Sequence, residues 1–204
     1  MAKADQLSGT LNFGPSGTGD SQYTLTMSGD ILTVTFNSGT RTTGGGNPVI
    51  DSYAGETKAN TTLGSFSFNT VTGAMISDST PEFSVKDTTP ASDPYLGSTL
   101  SFTAGTSPVM YDYNATTGYL DITLTGTLSD NYDSGYFSNT PGSLFFSSQN
   151  VFFNTPVSGG DTSGTVSYSG TLTASPAPEP GSLALLGTGL LGFAGVARRR
   201  MFGK

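Results

Sequence analysis

The groups with which this sequence could do chemistry are carboxylates and hydroxyls, because it contains no His, no Cys and no Trp. That composition excludes a thiol nucleophile, a Ser-His-Asp triad, and thiolate or imidazole metal ligands. A polysaccharide hydrolase could use carboxylates such as Glu56 and Glu82, but both lie in loop-like surroundings and their spacing does not show a catalytic pair. We therefore expect neither enzymatic activity nor a cofactor.

One acidic stretch, DNYDSG at 130–135, superficially resembles a calcium-binding loop. Tyr132 occupies a position that needs an oxygen ligand, and no Glu follows at the required distance. Asp and Asn in turns commonly bond their own backbone instead. The sequence therefore predicts no metal site here.

Tyrosines near these acids are candidates for glycan contacts. Tyrosine rings can stack on sugars while neighbouring Asp and Asn side chains bond sugar hydroxyls. The candidates are Tyr111, Tyr113, Tyr132 and Tyr136. The alternative is that these rings pack in strands with their hydroxyls at the rim of the core. The absence of Trp favours this alternative, and both remain open.

The charge is unevenly distributed along the chain. The formal net charge is −7 and the pI is about 4.2, which argues against a nucleic acid partner. Residues 1–177 carry fourteen acids and four bases, whereas the last 27 residues carry one acid and four bases. An acidic body followed by a basic tip indicates two segments with different surroundings.

The elements that must position the polar residues are β-strands, because residues 5–175 show alternation rather than helical periodicity. Tyr23–Met27 and Ile31–Phe36 form a predicted hairpin across Ser28-Gly29-Asp30. Further alternating runs are Leu7–Phe13, Leu63–Phe68, Tyr119–Leu128 and Thr165–Thr173, the last with Val166, Tyr168, Gly170 and Leu172 facing the core. This pattern predicts an all-β body, an antiparallel β-sandwich or jelly-roll-like domain.

The C-terminal segment has a different pattern. Residues 176–180 form a Pro-rich linker, and residues 181–197 contain no charge. As a helix, this apolar segment spans roughly 25 Å, slightly less than a ~30 Å hydrocarbon core. It predicts a marginal transmembrane helix, with residues 198–204 as a basic cytoplasmic tail. The alternative is a core helix whose basic end complements its dipole.

Pro178-Glu179-Pro180, a short apolar helix and the cluster Arg198, Arg199 and Arg200 occur in that order. Together they resemble the PEP-CTERM sorting signal of Gram-negative bacteria. The resemblance implies processing by an exosortase near the Pro-Glu-Pro motif, an inner-membrane precursor, and release to the cell surface or extracellular matrix. It also implies an association with exopolysaccharide and biofilm.

Export requires an N-terminal signal peptide, yet no apolar stretch follows Met1. Ala2-Lys3-Ala4 has the form of a signal-peptidase site, so we expect the signal peptide to be encoded upstream. An ordinary polar N-terminus is the alternative.

These patterns predict an exported, exosortase-sorted structural protein of the cell surface or matrix. The first alternative is a carbohydrate-binding module or adhesin that holds the protein in exopolysaccharide. The second is a polysaccharide hydrolase.

Overall fold

The computed structural model describes residues 7–14, 22–36, 40–43, 50, 53–56, 60–88, 96–131, 140–151, 153, 162–175, 188–191 and 193, with the backbone alone for 22 and 162–167. The described part of the body is an antiparallel all-β fold, as the sequence predicts. Its strands are β1 (Gly9–Gly14), β2 (Gln22–Ser28), β3 (Ile31–Phe36), β4 (Arg41–Thr43), β5 (Thr61–Leu63), β6 (Phe66–Asn69), β7 (Met75–Asp78), β8 (Phe83–Lys86), β9 (Thr99–Ala104), β10 (Met110–Asn114), β11 (Tyr119–Asp130), β12 (Thr140–Ser148) and β13 (Thr162–Ala174).

The strands follow one another in the order β5-β8-β9-β11-β12-β13-β2-β3-β6-β7. Strand β10 adds to β11, while β1 pairs with both β13 and β4. The long strand β13 belongs to both halves of the fold. Its residues Tyr168–Ala174 pair with β12, and its residues Thr162–Ser167 pair with β2.

The predicted β2–β3 hairpin is confirmed, with Tyr23 opposite Phe36 and Ser28 opposite Ile31. Gly29 in its turn has a φ of 59°, a conformation that glycine adopts without steric cost. Within β3, Leu32 and Val34 are buried whereas Thr35 is exposed. The alternation of apolar and polar residues therefore sets which face of the strand meets the core.

The core is rich in aromatic rings that join the two halves of the fold. The Phe146 ring on β12 lies 5.2 Å from the Phe36 ring on β3 and 5.9 Å from the Phe66 ring on β6, measured between centroids. Tyr168 on β13 lies 5.3 Å from Tyr23 on β2. These contacts connect β12 and β13 with β2, β3 and β6, so the two halves of the fold share one aromatic core.

The structure divides one predicted strand into two and describes the side chains of another only in part. The run Leu63–Phe68 was predicted as one strand, but the structure divides it at Gly64 and Ser65 into β5 and β6. A Cβ on Gly64 would lie 2.3 Å from Ser79 O and 2.7 Å from Pro81 O, so another chain segment passes close to the backbone here. In β13, Tyr168 and Leu172 are buried as predicted, whereas the Val166 side chain lies outside the described part.

The outer face of β11 and β12 is polar and carries few charges. Asp121, Thr123, Thr125 and Thr127 alternate with buried residues along β11. Ser147 on β12 is the cross-strand partner of Asp121. Hydroxyl groups therefore supply most of the polar surface of this face.

Candidate functional site

Tyr111 and Tyr113 lie on the inward side of β10 and are only half exposed. The Tyr111 ring packs edge-on against Phe68, with centroids 5.7 Å apart, and the Tyr113 ring packs against Phe153 at 5.0 Å. Burial raises the pKa of Tyr111 to about 12, and Tyr113 and Asp112 contribute further. Both rings therefore pack in the way that the alternative interpretation describes. Tyr132 and Tyr136 lie outside the described residues.

The Tyr113 hydroxyl positions a neighbouring segment. It donates a hydrogen bond to Val151 O at 3.1 Å and accepts one from Phe153 N at 3.4 Å. Val151 N in turn donates to Gly118 O at 2.9 Å. The chain after β12 is thereby held against the turn between β10 and β11.

An exposed tyrosine lies beside the amide side chain of Gln149. Tyr119 at the start of β11 is 46% exposed, and its hydroxyl accepts a hydrogen bond from Gln149 Nε2 at 2.8 Å. The next residue, Asn150, has a φ of 61°, in the left-handed region that Asn tolerates better than most residues. The Tyr119 hydroxyl thus lies beside Gln149, which lines a concave corner of the fold.

We call this corner the β12–β13 pocket, an open depression of about 310 Å³. Its lining consists of Ser147, Ser148, Gln149, Asn150, Tyr168 and Ser169. The volume is at the lower end of the range for small-molecule sites. Hydroxyls and amides beside an exposed aromatic ring are suited to a neutral polyhydroxylated ligand, because they can both donate and accept hydrogen bonds.

Two carboxylates lie near this pocket on the outer face. Asp121 is the cross-strand partner of the lining residue Ser147, and Asp112 lies opposite Asp121 on β10. Within the described part of the chain, no group of three or more acidic residues is arranged to hold a metal ion. The predicted turn at 130–135 lies largely outside the described residues, so the absence of a metal site there stays a prediction.

The two glutamates named as candidate acids lie in loops, as expected, yet both are buried. Glu56 accepts hydrogen bonds from Thr88 N and Thr88 Oγ1 and from Asn60 Nδ2, each at 2.8 Å. Its carboxylate thus ties three separate segments together. This is a structural arrangement, since both oxygens are already engaged by the protein.

Glu82 is fully buried and lies beside Asp78. Its Oε2 accepts a hydrogen bond from Ala104 N at 2.8 Å. Burial raises the pKa of Glu82, and the nearby Asp78 raises it further, because its negative charge disfavours ionisation of Glu82. Because the Glu82 carboxyl is shielded from solvent, it offers no access to a substrate.

A third buried polar cluster surrounds Tyr53. Its hydroxyl donates to Asp130 Oδ2 at 2.8 Å and lies 2.6 Å from Ser98 Oγ. Burial raises the pKa of Tyr53, and the charges of Asp130 and Asp87 act in the same direction. Because Tyr53 is fully buried, this cluster fixes the packing of the fold and offers no access to a substrate.

A second concavity, which we call the exit groove, lies where the described body ends. Its volume is about 550 Å³. It is lined by Gly105, Thr106, Ser107, Thr125, Gly126, Thr127, Pro141, Gly142, Ser143 and Ser175. Ser175 N donates to Pro141 O at 2.8 Å, so the chain leaves the body at the rim of this groove.

Part of the predicted C-terminal helix is described. Residues 188–191 and 193 are helical, and Leu190, Leu191 and Phe193 are 62–76% exposed. Among the residues described, no helix has the length and apolar character needed to cross a membrane. The sorting residues Pro178, Glu179 and Pro180 and the cluster Arg198, Arg199 and Arg200 lie outside the described part.

The fold defines the class of protein: an antiparallel all-β body, which is followed in the sequence by a C-terminal segment. The family model of the PEP-CTERM protein-sorting motif matches residues 176–200 of that segment. The chain thus carries the motif that its sequence resembles, and the motif supports an exported protein that an exosortase sorts. No curated protein and no solved structure is significantly similar to the chain.

Sequence analysis missed the residues that form the β12–β13 pocket. Gln149 and Asn150 follow a strand in an ordinary Ser-rich stretch, and Tyr119 was named only as the first residue of a predicted strand. The signal that could have found them is the first residue of the predicted strand Tyr119–Leu128. An aromatic residue at the first position of a strand projects near the turn, where neighbouring loops meet.

Proposed function

We propose that this chain is an exported structural protein of the cell surface or extracellular matrix of a Gram-negative bacterium. It acts without catalysis and in association with exopolysaccharide or biofilm. The observation that carries the proposal is the sorting motif at 176–200, attached directly to an antiparallel all-β body. The precursor is anchored in the inner membrane by residues 181–197.

The chemistry of the body supports a role that does not require catalysis. The carboxylates of Glu56 and Asp130 accept hydrogen bonds from buried protein groups, and Glu82 is buried beside Asp78. The hydroxyl-rich outer face gives solubility with few charges. A polysaccharide hydrolase remains the third candidate.

Processing is the step that tests this proposal. The intact mass of protein extracted from the surface of the native host should correspond to a chain that ends near Pro178-Glu179-Pro180. Deletion of the exosortase gene should leave the precursor uncut and in the inner membrane. A surface-extracted protein that retains Arg198–Arg200 would refute exosortase sorting.

The β12–β13 pocket favours a second candidate function, the binding of exopolysaccharide. The Tyr119 ring provides a stacking surface, and Gln149, Asn150 and Ser147 provide groups for sugar hydroxyls. The partner would be a neutral or weakly acidic glycan of the matrix.

Binding can be measured with polysaccharide purified from the native host, by affinity electrophoresis or sedimentation with the purified protein. Tyr119→Ala should weaken binding about fivefold, because an aromatic contact of this kind contributes on the order of 1 kcal/mol. Met110→Ala is a matched control, since Met110 is a large exposed side chain on the neighbouring strand. Equal binding by wild type and Tyr119→Ala would exclude this pocket as the site.

A further inference from the structure

We propose that the exit groove is the surface on which the exosortase docks when it processes this chain. The inference rests on the sorting function proposed above and extends it from the tail to the folded body. It begins with the position of Ser175, the last described residue before the linker, whose backbone is hydrogen-bonded to Pro141 at the rim of the groove.

The length of the linker limits where the enzyme can act. Pro178 is three residues from Ser175 and Pro180 is five residues from it. Even fully extended, five residues span at most about 18 Å, and a proline-rich chain in the polyproline conformation spans about 16 Å. The processed bond is therefore within that distance of the groove.

An enzyme that cuts a bond so close to a folded domain must itself contact the domain. A protease-like active site lies in a cleft, and the walls of the cleft extend beyond the scissile bond. With so short a tether, these walls meet the part of the body that surrounds Ser175. Thr106, Thr127 and Pro141 are among the exposed groove residues on that surface.

The chemistry of the groove fits a protein partner. All its lining residues are uncharged, whereas residues 1–177 carry a net charge of −10. Strand β13 thus directs the tail out of a neutral part of an acidic body. A neutral surface can be desolvated in an interface at lower cost than a charged one.

The shape of the groove distinguishes the enzyme from the membrane surface. A concavity of about 550 Å³ accommodates side chains that project from a partner protein. Small uncharged residues line it, including Gly105, Ser107 and Ser143. A lipid surface has no projecting groups that would require such a depression.

The test uses the full-length precursor, expressed in a host that contains the exosortase, with the cut fraction measured over time by intact mass. Thr127→Arg places a charge on the exposed rim of the groove, and Thr106→Arg does so from the adjoining loop. Each should slow processing at least about tenfold, because a charge without a partner in an interface is strongly unfavourable. Thr43→Arg is the matched control, an exposed threonine on β4 that should be processed at the wild-type rate.

A longer linker separates docking from other effects of the new charge. Ten Gly and Ser residues inserted between Ser175 and Pro176 should restore processing of Thr127→Arg, because the cut site then reaches the enzyme without contact between the two proteins. Equal melting temperatures of the variants exclude unfolding as the cause. Processing of Thr127→Arg at the wild-type rate with the natural linker would overturn the proposal, as would equal slowing of Thr43→Arg.

A photo-crosslinking residue at position 106 provides direct evidence. It should form an adduct with the exosortase, and the same residue at position 43 should not. Adducts with lipid alone would show that the groove contacts the membrane surface and not the enzyme. That result would overturn the proposal. A wild-type precursor that is never cut would instead refute exosortase sorting itself, so the two failures are distinguishable.

Discussion

Asp112 and Asp121 lie directly opposite each other across the antiparallel pair of β10 and β11. Asp121 Oδ1 is shielded from solvent and has no hydrogen-bond partner among the described residues. Like charges in this position repel each other, because cross-strand side chains are only about 5 Å apart. The strand pair that places Tyr119 beside Gln149 is therefore held together against a local repulsion.

Removing one of these charges should stabilise the protein. Asp112→Asn should raise the free energy of unfolding by about 0.2–1 kcal/mol, because the repulsion disappears while the exposed side chain keeps its size. Urea unfolding at low salt measures the change, and added salt should shrink it. Asp30→Asn, in the exposed β2–β3 turn, is the control and should have little effect. A lower stability of Asp112→Asn would show that the carboxylates of Asp112 and Asp121 bind a common partner.

That partner would be a cation, which leads to a separate prediction. EDTA should leave the melting temperature of the protein unchanged. A calcium ion bound to the native state at 100 times its Kd would add about 2.7 kcal/mol, enough to shift the melting temperature by several degrees. Differential scanning calorimetry with and without EDTA decides the matter. A large decrease that added calcium reverses would identify a metal site.

A glycine of the sheet should be intolerant of any side chain. A Cβ on Gly126 would lie 2.1 Å from Thr103 O and 2.9 Å from Ala104 Cα, and the backbone of β9 cannot move away easily. Gly126→Ala should therefore lower the free energy of unfolding by about 1–3 kcal/mol. The neighbouring exposed substitution Thr127→Ala is the control. Equal stability of the two variants would mean that β9 shifts without cost.

Much of the fold follows from local sequence patterns, whereas the candidate site does not. Alternation along Ile31–Phe36 predicts both the strand and its buried face, because the period of two is a property of the backbone. The pocket depends on Gln149 approaching Tyr119, thirty positions earlier in the chain. No local pattern encodes such a contact. The burial of Glu56 and Glu82 was equally unpredictable, since it results from the hydrogen bonds that distant segments supply.

The Tyr113 hydroxyl should be important for the order of the pocket wall. Tyr113→Phe removes its hydrogen bonds to Val151 O and Phe153 N and should cost about 1 kcal/mol of stability. Hydrogen exchange at Val151 N and Phe153 N should accelerate in this variant. Tyr119→Phe loses only an exposed hydrogen bond to Gln149 and is the matched control. Unchanged exchange in Tyr113→Phe would show that ring packing alone holds the segment.

Glu82 should make the stability of the protein depend on pH. Burial raises its pKa in the folded state, and Asp78 raises it further, so the native protein binds this proton more tightly than the unfolded chain does. The resulting contribution to stability is fully present below the unfolded pKa of about 4.3 and is lost as the pH rises through the folded pKa. Glu82→Gln stays neutral at every pH and can keep the hydrogen bond from Ala104 N. The variant should therefore melt at a higher temperature than wild type at pH 7, and the difference should decrease on acidification towards pH 4. Thermal unfolding across this range measures both curves, with Asp30→Asn as a control for general charge effects. A difference that does not vary with pH would show that folding leaves the pKa of Glu82 unchanged.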